Sequence, residues 1–345
     1  MLLGHGDDAY RHPDQVKANF SSNVVADDPS LAELQSYLHA RTGCITSYPE
    51  ACAESLTQRL AEAEQVAPEN VLVTSGATAA IHLLAQAHRR RRSIVVVPTF
   101  SEYEDACRIH EHSLTFARRE ELGGSTQADL LWLCNPNNPT GEMTPREDLL
   151  ARVDRSPRCI HVVDTAYEAF TPVAGPRAVD AVGRGNLVLV KSMTKAFSIP
   201  GLRLGYVIAG ARQIAELRAH AMPWAVNSLA LEAGKFLLNR GYALPEARLR
   251  GLLARRLALQ EALRVLPGFS VYPSDTHYFL FALARPASGE LKAWLLREHG
   301  LLVRDASNFR GLDGRHVRVA ALEKRSNALL EAALTAWSGR MEAAS

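Results

Sequence analysis

The stretch KSMTKAFSIPGLRLGY, residues 191–206, sets one lysine, Lys195, beside Ser192, Thr194 and an aromatic residue, directly after the apolar run NLVLV. A lysine amine is a nucleophile where its surroundings depress its charge and a solvated cation where they do not. Other apolar runs end in equally reactive residues. Asp164 follows IHVV, so its carboxylate arrives at the end of a buried strand, where an unpaired charge costs on the order of several kcal/mol. It requires a cationic or N–H partner, and a protonated pyridine nitrogen meets that requirement. Asn138, in NPNNPTG between Pro136 and Pro139, and Tyr167, one helical turn past Asp164, are placed to hydrogen bond a phenolic oxygen. Phe100, in PTF, offers a flat face on which an aromatic ring can stack. In SGAT the backbone N–H groups of Gly76, Ala77 and Thr78 open a helix and form an anion site, to which Ser192, Thr194 and Arg203 add hydroxyls and a guanidinium. Taken singly, each has a plainer reading as a loop lysine, a strand-end cap or a common turn.

The elements that must position these residues alternate. Helical patterning over 53–66, 77–90, 102–112 and 144–153 alternates with short apolar runs at 70–75, 93–98, 128–134, 159–164 and 186–192. That order predicts an α/β fold with a mostly parallel, doubly wound sheet, in which ligands lie outside the carboxyl ends of the strands. After about Ala221 the pattern changes to helices over 226–239 and 243–265, strands FSVYP and HYFLFAL, the helix SGELKAWLLREHG, strands LLVRD and HVRVA, and a closing helix over 323–340. The expected division is a large α/β domain over 30–225 and a smaller α+β domain formed by 1–29 with 226–345.

The 345 residues carry 39 Lys+Arg against 37 Asp+Glu, a net charge of +2, which gives no electrostatic case for nucleic acid or an anionic membrane as main partner. The HRRRR run from His88 to Arg92 reads as a solvated helix C-terminus. Five cysteines, odd in number and without a CxxC pair, indicate reduced thiols and no zinc site; with MLLGHGDDAYRH too short and too charged for a signal peptide, the expected location is the cytoplasm. GHGDDA fits a dinucleotide-binding spacing, but no strand precedes it. A regulator built on an enzyme-like domain would need an appended DNA-binding unit, for which the segment before the fold is too short.

Taken together and in order, NPNNPTG, DTAY and SMTKAFSIPGLRLGY resemble the class I and II aminotransferase group of fold-type I pyridoxal-phosphate enzymes, a resemblance that extends over nearly the whole chain. It implies pyridoxal 5'-phosphate as cofactor and Lys195 as the Schiff-base lysine. It further implies Asp164 on the pyridine nitrogen, Asn138 and Tyr167 on the phenolic oxygen, Phe100 on the ring, and Ser192 and Arg203 on the phosphate. Tyr48 in YPE resembles a tyrosine sent across a homodimer to the partner's cofactor phosphate, so composite active sites are expected. GHGDD, NFSSN, MPWAVNSLA and LLVRDASNFRGLDGRHVRVA resemble the branch of threonine-phosphate decarboxylases, which make the aminopropanol arm of cobalamin, and histidinol-phosphate aminotransferases are the neighbouring branch. That resemblance puts His5 and Arg304 at a substrate phosphate, Asn23 near the substrate, and Arg318 on its carboxylate or phosphate. NFSSNVVADDPS lacks the Asn-Pro-Leu-Gly continuation common to both branches. Decarboxylation and transamination use the same lysine and electron sink, and the motifs do not separate them.

Overall fold

The structure, a computed structural model, describes residues 7–25, 30–124, 126–241 and 244–343. After a two-residue strand, β1 (Ala18–Asn19), seven strands build the main sheet: β2 (Val71–Thr74), β3 (Arg92–Val97), β4 (Ser113–Arg118), β5 (Leu130–Cys134), β6 (Ile160–Asp164), β7 (Leu187–Ser192) and β8 (Gly205–Ile208). Their spatial order is β2-β8-β7-β6-β5-β3-β4. All run parallel except β8, which lies antiparallel to both β7 and β2.

Apolar residues on these strands serve both faces. On β5, Leu131 and Leu133 enter one core with Leu56, Leu60 and Ile208, whereas Leu130, Trp132 and Cys134 enter another with Ile81, Leu84 and Tyr103. Successive side chains point to opposite faces, so a strand covered by helices on both sides must be apolar throughout. β4 did not stand out as a strand in the sequence because it is the sheet edge and alternates Ser113 and Thr115 with half-buried Leu114 and Phe116. The helices Leu31–His39 and Ala211–His220 also add to the pattern read from sequence.

The remaining strands are β9 (Phe269–Val271), β10 (Tyr278–Leu283), β11 (Leu301–Leu302), β12 (Arg304–Asp305) and β13 (His316–Ala320). β12-β13-β10-β9 form an antiparallel sheet over a third core containing Phe20, Phe279, Phe281, Leu291 and Trp337. LLVRD, expected as one strand, divides at Val303 because its halves bond different neighbours. Leu301–Leu302 pairs in parallel with β1, and Arg304–Asp305 pairs with β13. The helix Ser228–Asn239, grouped with the smaller domain in the sequence reading, packs Ala230, Leu231, Ala233 and Leu237 into the core that holds Leu56 and Leu204 of the main sheet's surroundings.

Polar contacts fix the smaller sheet against the larger. Arg310 donates two hydrogen bonds to Glu104, at 2.7 and 2.6 Å, and lies over the Phe116 ring. Tyr278 Oη donates to the carbonyl of Asn137 at 3.0 Å, and Asp275 accepts from the Met143 N–H at 2.8 Å. The result is a cleft between the carboxyl ends of β5, β6 and β7 and the face of β12 and β13.

Gly205 on β8 has no room for a side chain: a Cβ there would stand 2.7 Å from the Lys191 carbonyl oxygen and 2.8 Å from the Ala77 nitrogen, both backbone atoms. At Gly234 a Cβ would meet Leu56 Cδ2 at 2.8 Å and Leu204 Cδ2 at 3.0 Å, the ends of flexible side chains. Gly205→Ala is therefore expected to destabilise by about 3 kcal/mol and Gly234→Ala by about 1 kcal/mol. Thermal melts of the two variants check this ranking, and equal losses would contradict it.

Candidate active site

Every strand-end residue singled out in the described part of the chain, other than Tyr48, comes to the same place. The loops after β3, β5, β6 and β7 deliver Phe100, Asn138, Asp164 with Tyr167, and Ser192 with Thr194 and Lys195, into one pocket that also holds Ala77, Thr78 and Arg203. The pocket opens into a cleft of about 400 Å³ lined by Ser21, Asn23, Arg304, Asn308, Phe309 and Arg318. Parallel strands place their carboxyl ends side by side, and this crowding turns scattered motifs into a site.

At the pocket floor the helix Ala77–Ala87 starts from Gly76, whose φ of +84° suits glycine. A Cβ on Gly76 would stand 2.7 Å from Arg203 Nη2, so a side chain there would fill the space between the helix start and the guanidinium. Arg203 itself has φ 57°, and its Nη1 donates to the Pro200 carbonyl at 3.0 Å. The hydroxyls of Ser192 and Thr194 lie 2.8 Å apart. N–H groups, hydroxyls and a guanidinium around a hollow that only glycine leaves open make a cradle for a phosphate.

Asp164 is 4% exposed and sits beside Cys134 in the β5–β6 register. Tyr103 Oη donates to its Oδ2 at 2.7 Å, and the Ala166 N–H donates to its Oδ1 at 2.9 Å. Burial still raises its pKa, against the lowering effect of Tyr103, Ala166 and the Lys195 charge. A protonated ring nitrogen beside it would favour the carboxylate form. Lys195 is held down to about 8, first by burial and then by the charges of Arg203 and Arg318. Among the described residues no hydrogen bond or ion pair engages its amine. Burial pushes the Tyr167 phenol up to about 12, although Arg318 and the Asn23 side chain favour its ionised form. An open phosphate cradle, a buried carboxylate and an unengaged amine of lowered basicity fit the pyridoxal phosphate implied by the resemblance.

Two guanidiniums face this pocket from the smaller sheet. Arg304 and Arg318 are directly opposite each other in the β12–β13 register and are 8% and 4% exposed. Burial brings Arg304 down to about 10, with the Arg318 charge adding to the effect. Arg304 bonds Asn308 at 2.8 Å and lies over the Phe309 ring at 5.1 Å. Arg318 donates to the Asn138 side-chain oxygen and to the Ser21 carbonyl. The Asn138 oxygen is thus already engaged, which leaves its Nδ2 as the group for an acceptor. Asn23 is buried beside Tyr167, and its backbone carbonyl lies 3.2 Å from His277 Nε2. Tyr48 does not line this chain's cleft: its ring is 86% exposed and packs 5.5 Å from Trp224. His5 lies outside the described residues. The sequence reading passed over Tyr103, although PTFSEY places it one helical turn past Phe100.

The family model described as aminotransferase class I and II matches residues 15–336. The chain is 32% identical over 336 residues to the threonine-phosphate decarboxylase of Salmonella typhimurium, a match covering 93% of this chain and 91% of the relative. It is also 32% identical over 284 residues to the histidinol-phosphate aminotransferase of Thermoanaerobacter pseudethanolicus, covering 78% of each. Among solved structures, that of L-threonine-O-3-phosphate decarboxylase from Porphyromonas gingivalis superposes with a TM-score of 0.89 at 40% identity, covering 93% of this chain and 99% of that one.

The environment of Lys195 makes a measurable prediction. In cofactor-free protein, acetylation of Lys195 followed by mass spectrometry should titrate with a midpoint near about 8. Arg203→Met removes a cation that disfavours the ammonium form, so the midpoint should rise. A midpoint at the ordinary lysine value in the unsubstituted protein would show that the amine is solvated.

Proposed function

The chain belongs to the class I and II aminotransferase family, and from that premise we propose that it is a pyridoxal-phosphate-dependent carbon–carbon lyase that converts L-threonine O-3-phosphate to (R)-1-aminopropan-2-yl phosphate, as needed for cobalamin. Bound in the pocket, the cofactor supplies an electron sink conjugated to the substrate Cα. The chain's own residues do the rest. Ser192, Thr194, Arg203 and the N–H groups of Ala77 and Thr78 take the cofactor phosphate. Asn138 and Tyr167 hold the phenolic oxygen, Phe100 covers the ring, and Asp164 keeps the proton on the pyridine nitrogen. When the bond from Cα to the carboxylate breaks, CO2 departs and the electron pair remains at Cα. Lys195, whose burial leaves it readily deprotonated, then passes a proton to that carbon.

The observation that carries the substrate reading is the pair Arg304 and Arg318. Two buried like charges directly opposite on neighbouring strands repel, and anions placed between and beside them relieve that repulsion. Threonine phosphate carries a phosphate and a carboxylate, one for each guanidinium. Histidinol phosphate carries only a phosphate. Asn23, and His5 at the N-terminus, complete the proposed substrate contacts. We further propose a cytoplasmic homodimer in which Tyr48 reaches the partner's cofactor phosphate, with 30–225 as the cofactor-holding unit and 1–29 with 226–345 as the unit that brings the substrate arginines. The exposed Tyr48 and Trp224 support that dimer.

Incubated with O-phospho-L-threonine and no keto acid, the enzyme should release CO2 and accumulate aminopropanol phosphate over many turnovers, because protonation at Cα needs no amino acceptor. Lys195→Ala should abolish that turnover. Arg304→Ala and Arg318→Ala should each lower kcat/KM by at least about tenfold, the equivalent of about 1.4 kcal/mol from one lost charge-assisted bond. Unphosphorylated threonine should react poorly and respond little to loss of whichever arginine holds the phosphate. Product formed only from histidinol phosphate with 2-oxoglutarate would overturn the decarboxylase reading in favour of transamination.

A further inference from the structure

Asp164 is the pivot of the proposed chemistry, and its state is set by a residue outside the cofactor contacts given above. Tyr103, on the helix Glu102–Ile109, is 1% exposed and directs its hydroxyl at Asp164 Oδ2 over 2.7 Å. The ring has little freedom to move. It stacks on Trp132 with centroids 6.0 Å apart and planes 23° apart, and meets Phe100 edge-on at 5.9 Å. Trp132 is fixed in turn: its Nε1 donates to Ser93 Oγ at 3.2 Å, Ser93 Oγ lies 2.8 Å from His112 Nδ1, and His112 Nε2 lies 2.9 Å from the Ala85 carbonyl oxygen. The carbonyl can only accept, so His112 donates from Nε2 and accepts from the Ser93 hydroxyl at Nδ1, which leaves both ring nitrogens and the Trp132 N–H partnered.

We infer that Tyr103 is a positioning residue that keeps Asp164 ionised and oriented toward the cofactor ring. The inference rests on the cofactor reading above. Burial favours a neutral carboxylic acid, and a neutral Asp164 has no charge with which to hold a proton on a pyridine nitrogen. The titratable groups that face Asp164 are Tyr103 from its helix, Cys134 from β5, Lys195 from the loop after β7, and Tyr167 and Glu168 from the segment following β6. Cys134 is pushed up to about 12 by burial and remains a thiol, and Glu168 raises the affinity of Asp164 for a proton. Lys195 acts in the ionising direction only while it is charged. Two neutral donors remain at every stage, the Ala166 N–H on Oδ1 and the Tyr103 hydroxyl on Oδ2. Tyr103 itself stays protonated, because burial and the neighbouring Asp164 raise its pKa far above its ordinary value. Its hydroxyl donates to Oδ2 at 2.7 Å, and that bond favours the carboxylate, lowering the Asp164 pKa.

The test compares the unsubstituted holoenzyme with Tyr103→Phe and Asp164→Asn. Phenylalanine preserves the stack on Trp132 and Phe100 and removes one oxygen, so the melting temperature should stay within a few degrees. Equilibrium dialysis should show pyridoxal phosphate bound about tenfold more weakly by Tyr103→Phe, the loss of one charge-assisted bond. The pH at which the visible absorption of the bound cofactor changes should move upward in the variant. With O-phospho-L-threonine, kcat should fall about tenfold while KM stays within about twofold, the pattern of an interaction used in the reaction and not in substrate binding. Wild-type affinity, spectral titration and kcat in Tyr103→Phe, with all three altered in Asp164→Asn, would overturn the role of Tyr103 and leave the cofactor reading standing. No change in either variant would overturn both.

Discussion

Asp164 ends a strand flanked on both sides, by Cys134 of β5 and Val190 of β7, and water reaches almost none of it. A carboxylate in that position is stable as an anion only if donors surround it, and most of the site can be understood as the supply of those donors. Tyr103 and the Ala166 N–H occupy one position on each oxygen, and the remaining capacity faces the pocket. The same burial lowers Lys195, so one desolvated pocket holds both an anion seeking a proton partner and an amine that gives up its proton readily. Each would be a liability alone. Together they set an acid and a base of shifted affinity in one pocket.

A second constraint acts from the smaller sheet. The β12–β13 register puts Arg304 directly opposite Arg318, and both are buried. Elsewhere Lys191 pairs with Glu168 at 2.6 Å and Glu64 at 3.2 Å, and Glu104 takes Arg108 and Arg310. The Arg310–Glu104 pair also ties the segment bearing Asn308 and Phe309 to the helix bearing Tyr103, which keeps that segment over the pocket at the strand ends.

Much of this was legible in the chain. Runs such as LLWLC and NLVLVKS are apolar at every position because both faces of their strands are covered, and that pattern identifies a parallel sheet without coordinates. Once the sheet is parallel, residues just past each run must share one edge, so Phe100, Asn138, Asp164 and Lys195 were recognisable as one site. The edge strand β4 was not recognisable, since half-exposed residues carry a weak periodic signal. Nor was the break at Val303, which depends on which neighbours the two halves of LLVRD bond.

The sequence by itself determined the fold class and the residues at the strand ends, which follow from residue type and order along the chain, and pointed to the cofactor through the family resemblance its motifs carry. Only the tertiary structure decided what those residues touch: that Tyr103 bonds Asp164 across 61 positions, that Arg318 engages Asn138 across 180, and that Tyr48 faces away from its own cleft. These contacts join segments brought together by strand pairing and core packing. Hydrogen bonds and desolvation act over a few ångströms of space, whatever the separation along the chain.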